Sequence, residues 1–159
     1  MKRSLVVIRG DVTGALGAIW LYWPIFLLSR KRQFGKQYRV SVLVSPSQQQ
    51  AIESISKADA VVFYGHGGPG KVHLTPKSNQ QDNPTEVLDA ACVSTVQTIR
   101  TESKKGDLDF VMISCCDTLQ DPRWIENWLQ VTNLISGYHG LTYDWKRPFH
   151  IPKIKTITR

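Results

Sequence analysis

A chain of 159 residues is the size of one domain with room for a real core. With 42% apolar and 21% charged residues, it is excluded from the disordered and solvating classes. The net charge of +7 leaves nucleic acid, an acidic surface or an acidic substrate open as partners.

The chain then alternates strand and helix signals. Leu5 to Ile8 is a short apolar, β-rich run. A charge-free segment follows from Val12 to Ser29, apolar from Ala15 to Leu28. It borders the length of a membrane span. Gly14, Gly17, Pro24 and Ser29 dilute it, and Arg9 and Asp11 precede it, so it is expected as a core helix over Thr13 to about Arg32, kinked at Pro24. A membrane anchor is the competing reading, and a signal peptide fits badly because no small-residue cleavage site follows.

Tyr38 to Val44 is a second strand. In Ser45-Pro46-Ser47-Gln48, Ser45 has the form of a cap, Pro46 of a first helical residue and Gln48 of a capping-box partner. Ala51, Ile52 and Ile55 give that helix an apolar face. Ala60 to Tyr64 is a third strand, running into Gly65-His66-Gly67-Gly68-Pro69-Gly70. A polar stretch from Lys71 to Asn83 reads as a long functional loop, broken only by Val72-His73-Leu74.

Asn83-Pro84-Thr85-Glu86 reads as a second capped start, with Leu88, Cys92, Val96 and Ile99 at helical spacing. Cys92 is thereby a core residue. Lys104-Lys105-Gly106 ends the helix. Phe110 to Ile113 is a fourth strand, entering Ser114-Cys115-Cys116-Asp117. Asp121-Pro122 opens a helix carrying Trp124, Ile125, Trp128 and Leu129, and Asn133 to Ser136 is a candidate fifth strand.

This order implies an α/β fold, a three-layer sandwich with a mostly parallel central sheet. The expected organisation is a single domain over 1–159 with a basic tail from about 146. The remaining basic residues are dispersed, apart from Arg30-Lys31-Arg32, and read as a solvated surface. Three cysteines without regular spacing exclude a secreted disulfide scaffold and point to a cytoplasmic protein. No Cys-x-x-Cys or His-x-x-x-His pair is present, so no metal is expected.

In parallel sheets, ligands bind outside the carboxyl ends of the strands. His66 and Cys116 both lie just past such ends. A thiolate is a strong nucleophile, and an imidazole beside it can take its proton and later give one to a leaving amine. Acyl transfer also needs donors aimed at the developing oxyanion, and the N–H groups of Gly67 and Cys116 are the candidates. The bland alternatives are a turn histidine in a ligand-binding loop and a buried strand-end cysteine.

The segment Phe63-Tyr64-Gly65-His66-Gly67-Gly68 resembles the strand-then-Gly-His-Gly element of caspase-like cysteine peptidases. Phe110 to Thr118 resembles their second element, an apolar strand followed by Ser-small-Cys-acidic-Thr, in a form closest to CHAT domains and then separases. That match puts the nucleophile at Cys116, with Cys115 in the small-residue position. His66 lies fifty residues upstream of Cys116, in keeping with the caspase spacing.

The resemblance implies a His66/Cys116 dyad, no cofactor, a caspase-like fold, and cleavage of a peptide or protein substrate after a selected P1 residue. It draws the P1 pocket from Arg9-Gly10-Asp11, with Asp117 beside the nucleophile. Asp11 in the pocket would favour a basic P1 and Arg9 an acidic one. The basic choice is the expectation, although Asp11 could instead cap the next helix.

His66-Gly67-Gly68-Pro69-Gly70 also looks like the oxyanion loop of proline iminopeptidases, but no Gly-x-Ser-x-Gly elbow exists here. The second function is an inactive caspase-like binding module holding a small anion, nucleic acid or a protein partner. Against an anion site, Gly65 to Gly70 matches neither the dinucleotide fingerprint nor the P-loop. A membrane partner is not expected.

Overall fold

The computed structural model describes residues 2–10, 34–75, 86–138 and 154–159. Asp11, the 12–29 segment with its helix-or-anchor alternatives, Asn83 to Thr85 and His139-Gly140 lie outside the described residues. In chain order, the strands are β1 (Arg3–Arg9), β2 (Tyr38–Val44), β3 (Ala60–Tyr64), β4 (Gly67–Gly68), β5 (Lys71–His73), β6 (Val87–Asp89), β7 (Val111–Ser114), β8 (Leu134–Tyr138) and β9 (Ile154–Thr158). The helices are α1 (Gln48–Lys57), α2 (Ala90–Glu102) and α3 (Pro122–Leu129).

The main sheet has the order β2-β1-β3-β7-β8-β9. Its pairings are parallel from β2 to β8, and β9 closes it antiparallel to β8. A fully buried parallel sheet needs apolar side chains on both faces, and β1 and β3 supply them by alternation. Val6, Ile8, Val61 and Phe63 enter one core cluster, and Leu5, Val7, Ala60 and Val62 the other. Ala51 and Ile55 of α1, Val93 and Val96 of α2, and Trp124 and Trp128 of α3 all join the first cluster. The crossovers β2-α1-β3, β3-α2-β7 and β7-α3-β8 step the same way across the sheet, so right-handed connection puts all three helices on one face.

The local boundaries refine the sequence reading. The capping box is Ser47 with Gln50, two residues after the frame read at Ser45. Both frames have the Ser-x-x-Gln form, but Ser45 takes a left-handed φ of 44° at the end of β2 and cannot cap. The second helix starts at Ala90, capped by Asp89 onto the Cys92 N–H. Leu88 instead lies on β6, whose pairing with β5 turns part of the expected loop into a small antiparallel sheet, β4-β5-β6. Cys92 is buried as expected. Part of the expected basic tail forms β9, where β-branched residues pair with β8.

Two polar clusters secure the end of the sheet remote from the site. Arg100 is buried and donates to the carbonyls of Ile55, Ser56 and Ala58 at 3.2, 3.2 and 2.8 Å, and to Gly106 O. It thereby satisfies the last carbonyls of α1, and its burial lowers its pKa. Burial alone would raise Asp59, but hydrogen bonds from Lys105 and from the N–H and hydroxyl of Ser4 outweigh it and hold the carboxyl at about 2.

Candidate active site

The site follows from strand register. β3 and β7 are neighbours, and their last paired residues are Tyr64 and Ser114. His66 and Cys116 each lie two residues beyond that pair, so they leave the same sheet edge at the same level. Gly65 makes the exit on the first strand with φ 143°, open to glycine and strained for other residues. Asp117 makes it on the second with φ 54°, a left-handed turn that Asp tolerates better than most residues. That turn leads into a 3-10 segment, Thr118–Gln120. Both His66 and Cys116 are half-buried.

The two exits are packed against each other. A Cβ on Gly67 would lie 2.8 Å from Cys115 Cβ, 2.8 Å from Thr118 Cγ2 and 3.0 Å from Cys116 O. Only a residue without a side chain fits, and that fit holds the residue after His66 directly on the turn that carries Cys116. Thr118 is fully buried beneath the contact, and its hydroxyl donates to Cys115 O at 3.4 Å.

The adjacent cysteines have different environments. Cys115 is fully buried, and desolvation, with a smaller contribution from the neighbouring Cys116, pushes its thiol far above the ordinary range. It stays protonated and inert. Cys116 is the member of the pair that solvent reaches.

Beyond His66, β4 and β5 form a tight hairpin with Gly67 opposite Val72 and Gly68 opposite Lys71. The His73 N–H donates to His66 O at 3.1 Å, extending the ladder by one pair. Hydrogen-bonded and non-hydrogen-bonded pairs alternate in antiparallel ladders. The pair 66–73 is bonded, so at 67–72 the Gly67 N–H points away from β5. His73, absent from the sequence-derived site, thus sits directly across from His66. Its signal was the single strand-like break, Val72-His73-Leu74, in a polar stretch.

The remaining expected residues are spread around this edge. Arg9 ends β1 level with Tyr64, and the Gly10 N–H donates to Tyr64 O at 2.8 Å. Arg9 is only 5% exposed, and desolvation lowers its pKa, opposed by Tyr64. Asp117 accepts from Gln120 Nε2 at 2.7 Å, so its carboxylate serves its own turn. Asp11 lies outside the described residues. Among the described residues, no group of His, Cys, Asp and Glu has the arrangement of a metal site, and no helix is long and apolar enough to cross a membrane. A groove of about 370 Å³ next to Gly70 includes Asp89, Asp121 and Glu126, but the first two carboxylates cap α2 and α3.

The sequence matches no protein-family model and no curated protein. Among solved structures, the fold is similar to a secreted C11 cysteine protease from Bacteroides thetaiotaomicron, "iotapain", with a TM-score of 0.57 and 9% sequence identity. The match covers 89% of this chain and 53% of the protease, so the chain spans about half the length of that neighbour. At this identity the likeness concerns the fold, and it agrees with the sheet order and crossovers described above: the chain has a mixed α/β, caspase-like fold.

Proposed function

We propose that the chain is a cysteine endopeptidase in which His66 and Cys116 form a catalytic dyad. The observation that carries this reading is the seating of Gly67 on the Cys115–Thr118 turn. It ties the only accessible thiol among the described cysteines to the loop bearing the histidine.

In the reaction, His66 takes the Cys116 proton and the thiolate attacks the scissile carbonyl carbon. The resulting oxyanion is held by the Gly67 N–H, directed away from β5, and by the Cys116 N–H. Collapse of the tetrahedral adduct breaks the C–N bond as the His66 imidazolium protonates the leaving amine. Water, deprotonated by His66, then hydrolyses the thioester and restores the thiol. No cofactor is required. The substrate is a peptide or protein, and the P1 pocket draws on Arg9 and Asp11, with Asp117 shaping the turn beside Cys116. A basic P1 preference would point to Asp11 and an acidic one to Arg9.

The test is hydrolysis of a P1-varied peptide library by the wild-type chain and three variants. Cys116→Ala and His66→Ala should abolish turnover, whereas Cys115→Ala, which keeps the Cβ against Gly67, should retain most of it. Full activity in Cys116→Ala would end the assignment.

A further inference from the structure

We propose that His73 is a positioning residue for His66, orienting the imidazole of the dyad through its second ring nitrogen. The inference rests on the peptidase reading for its catalytic consequence, but its geometry stands on the hairpin alone.

His66 and His73 are opposed across β4 and β5, joined by the His73 N–H to His66 O bond of 3.1 Å. Residues directly opposite in an antiparallel pair project to the same face, with Cβ atoms about 5.5 Å apart. The next pair, Gly67 and Val72, projects to the other face, where Val72 is fully buried and Gly67 meets Cys115 and Thr118. One face of the hairpin is therefore anchored in the core, and the other carries His66 and His73, both half-buried. From β1, a Cβ on Gly10 would lie 2.0 Å from His73 O, so the strand ending in Arg9 abuts His73 and limits where its backbone can move.

A general base that accepts a proton on one ring nitrogen needs the other held as N–H. In nucleophile–base pairs a third group usually does this. His73 is the side chain that the register delivers for that task, as acceptor of the second ring N–H of His66. On the same face lie Lys71, two residues back on β5, and its partner Asp89, diagonal to His73 on β6, while Val87 is the partner of His73 on β6. Arg9, Tyr64, Cys116 and Asp117 are further ionisable groups at this edge among the described residues.

The test uses the full chain with His73→Phe and His73→Asn. Phe keeps a ring without an acceptor, whereas Asn keeps an acceptor of shorter reach. Three readouts are taken: the ¹⁵N shifts of the His66 ring, the kcat and KM for a cleaved peptide, and the thermal midpoint. The expected result for His73→Phe is a mixture of His66 tautomers and a kcat about tenfold lower at unchanged KM, a fraction of what a positioned base supplies. His73→Asn should recover one tautomer and most of the kcat, at an equal thermal midpoint. A single unchanged tautomer in His73→Phe would overturn the inference and leave the dyad untouched. Unchanged His66 tautomers in all variants with no peptide cleavage by the wild-type chain would sink both. A mixed tautomer without any cleavage would sink only the peptidase reading.

Discussion

Gly67→Ala is the perturbation with the sharpest structural expectation. The new methyl carbon would lie 2.8 Å from two side-chain carbons and 3.0 Å from a backbone oxygen. Carbon atoms settle at about 3.5–4.0 Å, so the His66 loop and the Cys116 turn must part by about 1 Å. Overpacking of this kind costs about 1–3 kcal/mol. At about 2–4 °C per kcal/mol for a domain of this size, the thermal midpoint should fall by about 2–12 °C. A displacement of about 1 Å between reacting groups costs about a hundredfold in rate, or about 2.7 kcal/mol of barrier. Gly68→Ala is the internal control, because a Cβ there would meet only Lys71 Cε, at an ordinary 3.7 Å. Thermal denaturation and peptide turnover of the two variants read both numbers. Equal turnover in Gly67→Ala and Gly68→Ala would refute the view that close seating of the two loops matters.

Trp128 is fully buried, edge-on to Phe63 and Trp124, so Trp128→Ala should lose about 3–5 kcal/mol in urea denaturation. Its indole N–H has no hydrogen-bond partner among the described residues, so Trp128→Phe should lose much less. Arg100→Met leaves the carbonyls of Ile55, Ser56 and Ala58 without their donor and should cost about 2–3 kcal/mol by the same assay. Asp59 has its carboxyl lowered from 3.8 to about 2, so its ionised form stabilises the fold above pH 3.8 and that contribution is lost as pH falls toward 2. With the side chain 22% exposed, the contribution is about 1–2 kcal/mol, and Asp59→Asn should be less stable than wild type at pH 6 but equal to it near pH 2.

The strands were the most legible part of the chain. Tyr38–Val44 and Ala60–Tyr64 match the sequence-derived limits because runs of β-branched and aromatic residues bounded by Ser and Gly have no competing helical period. Asp121-Pro122 was equally clear, since Asp as cap and Pro at the first position both fit the missing donors of a helix start. Ser45 and Ser47 could not be separated in sequence, because the choice depends on the backbone turn after β2. The hairpin of Gly67–Gly68 with Lys71–His73 was hidden: strands of two and three residues hold by backbone pairing and leave no periodic pattern. β9 was hidden by the surrounding basic residues, which drew attention to charge and away from the β-branched content of Ile154, Thr156, Ile157 and Thr158.

The candidate site divides along the same line. His66 and Cys116 were readable because each follows an evident strand, and parallel strands bring their exits together. Cys116 was preferred over Cys115 from the paired cysteines at the strand end and from the resemblance, and Cys115 is the buried one of the two. His73 was not readable, since its place opposite His66 exists only once the hairpin register is known.

The most direct measurement is covalent labelling by a peptidyl acyloxymethyl ketone, located by mass spectrometry in the wild-type chain and in Cys115→Ala, Cys116→Ala and His66→Ala. The account expects one adduct, on Cys116, formed at similar rates in wild type and Cys115→Ala and lost in the other two variants. An adduct that forms as fast in His66→Ala, or that falls on Cys115 or Cys92, would contradict it.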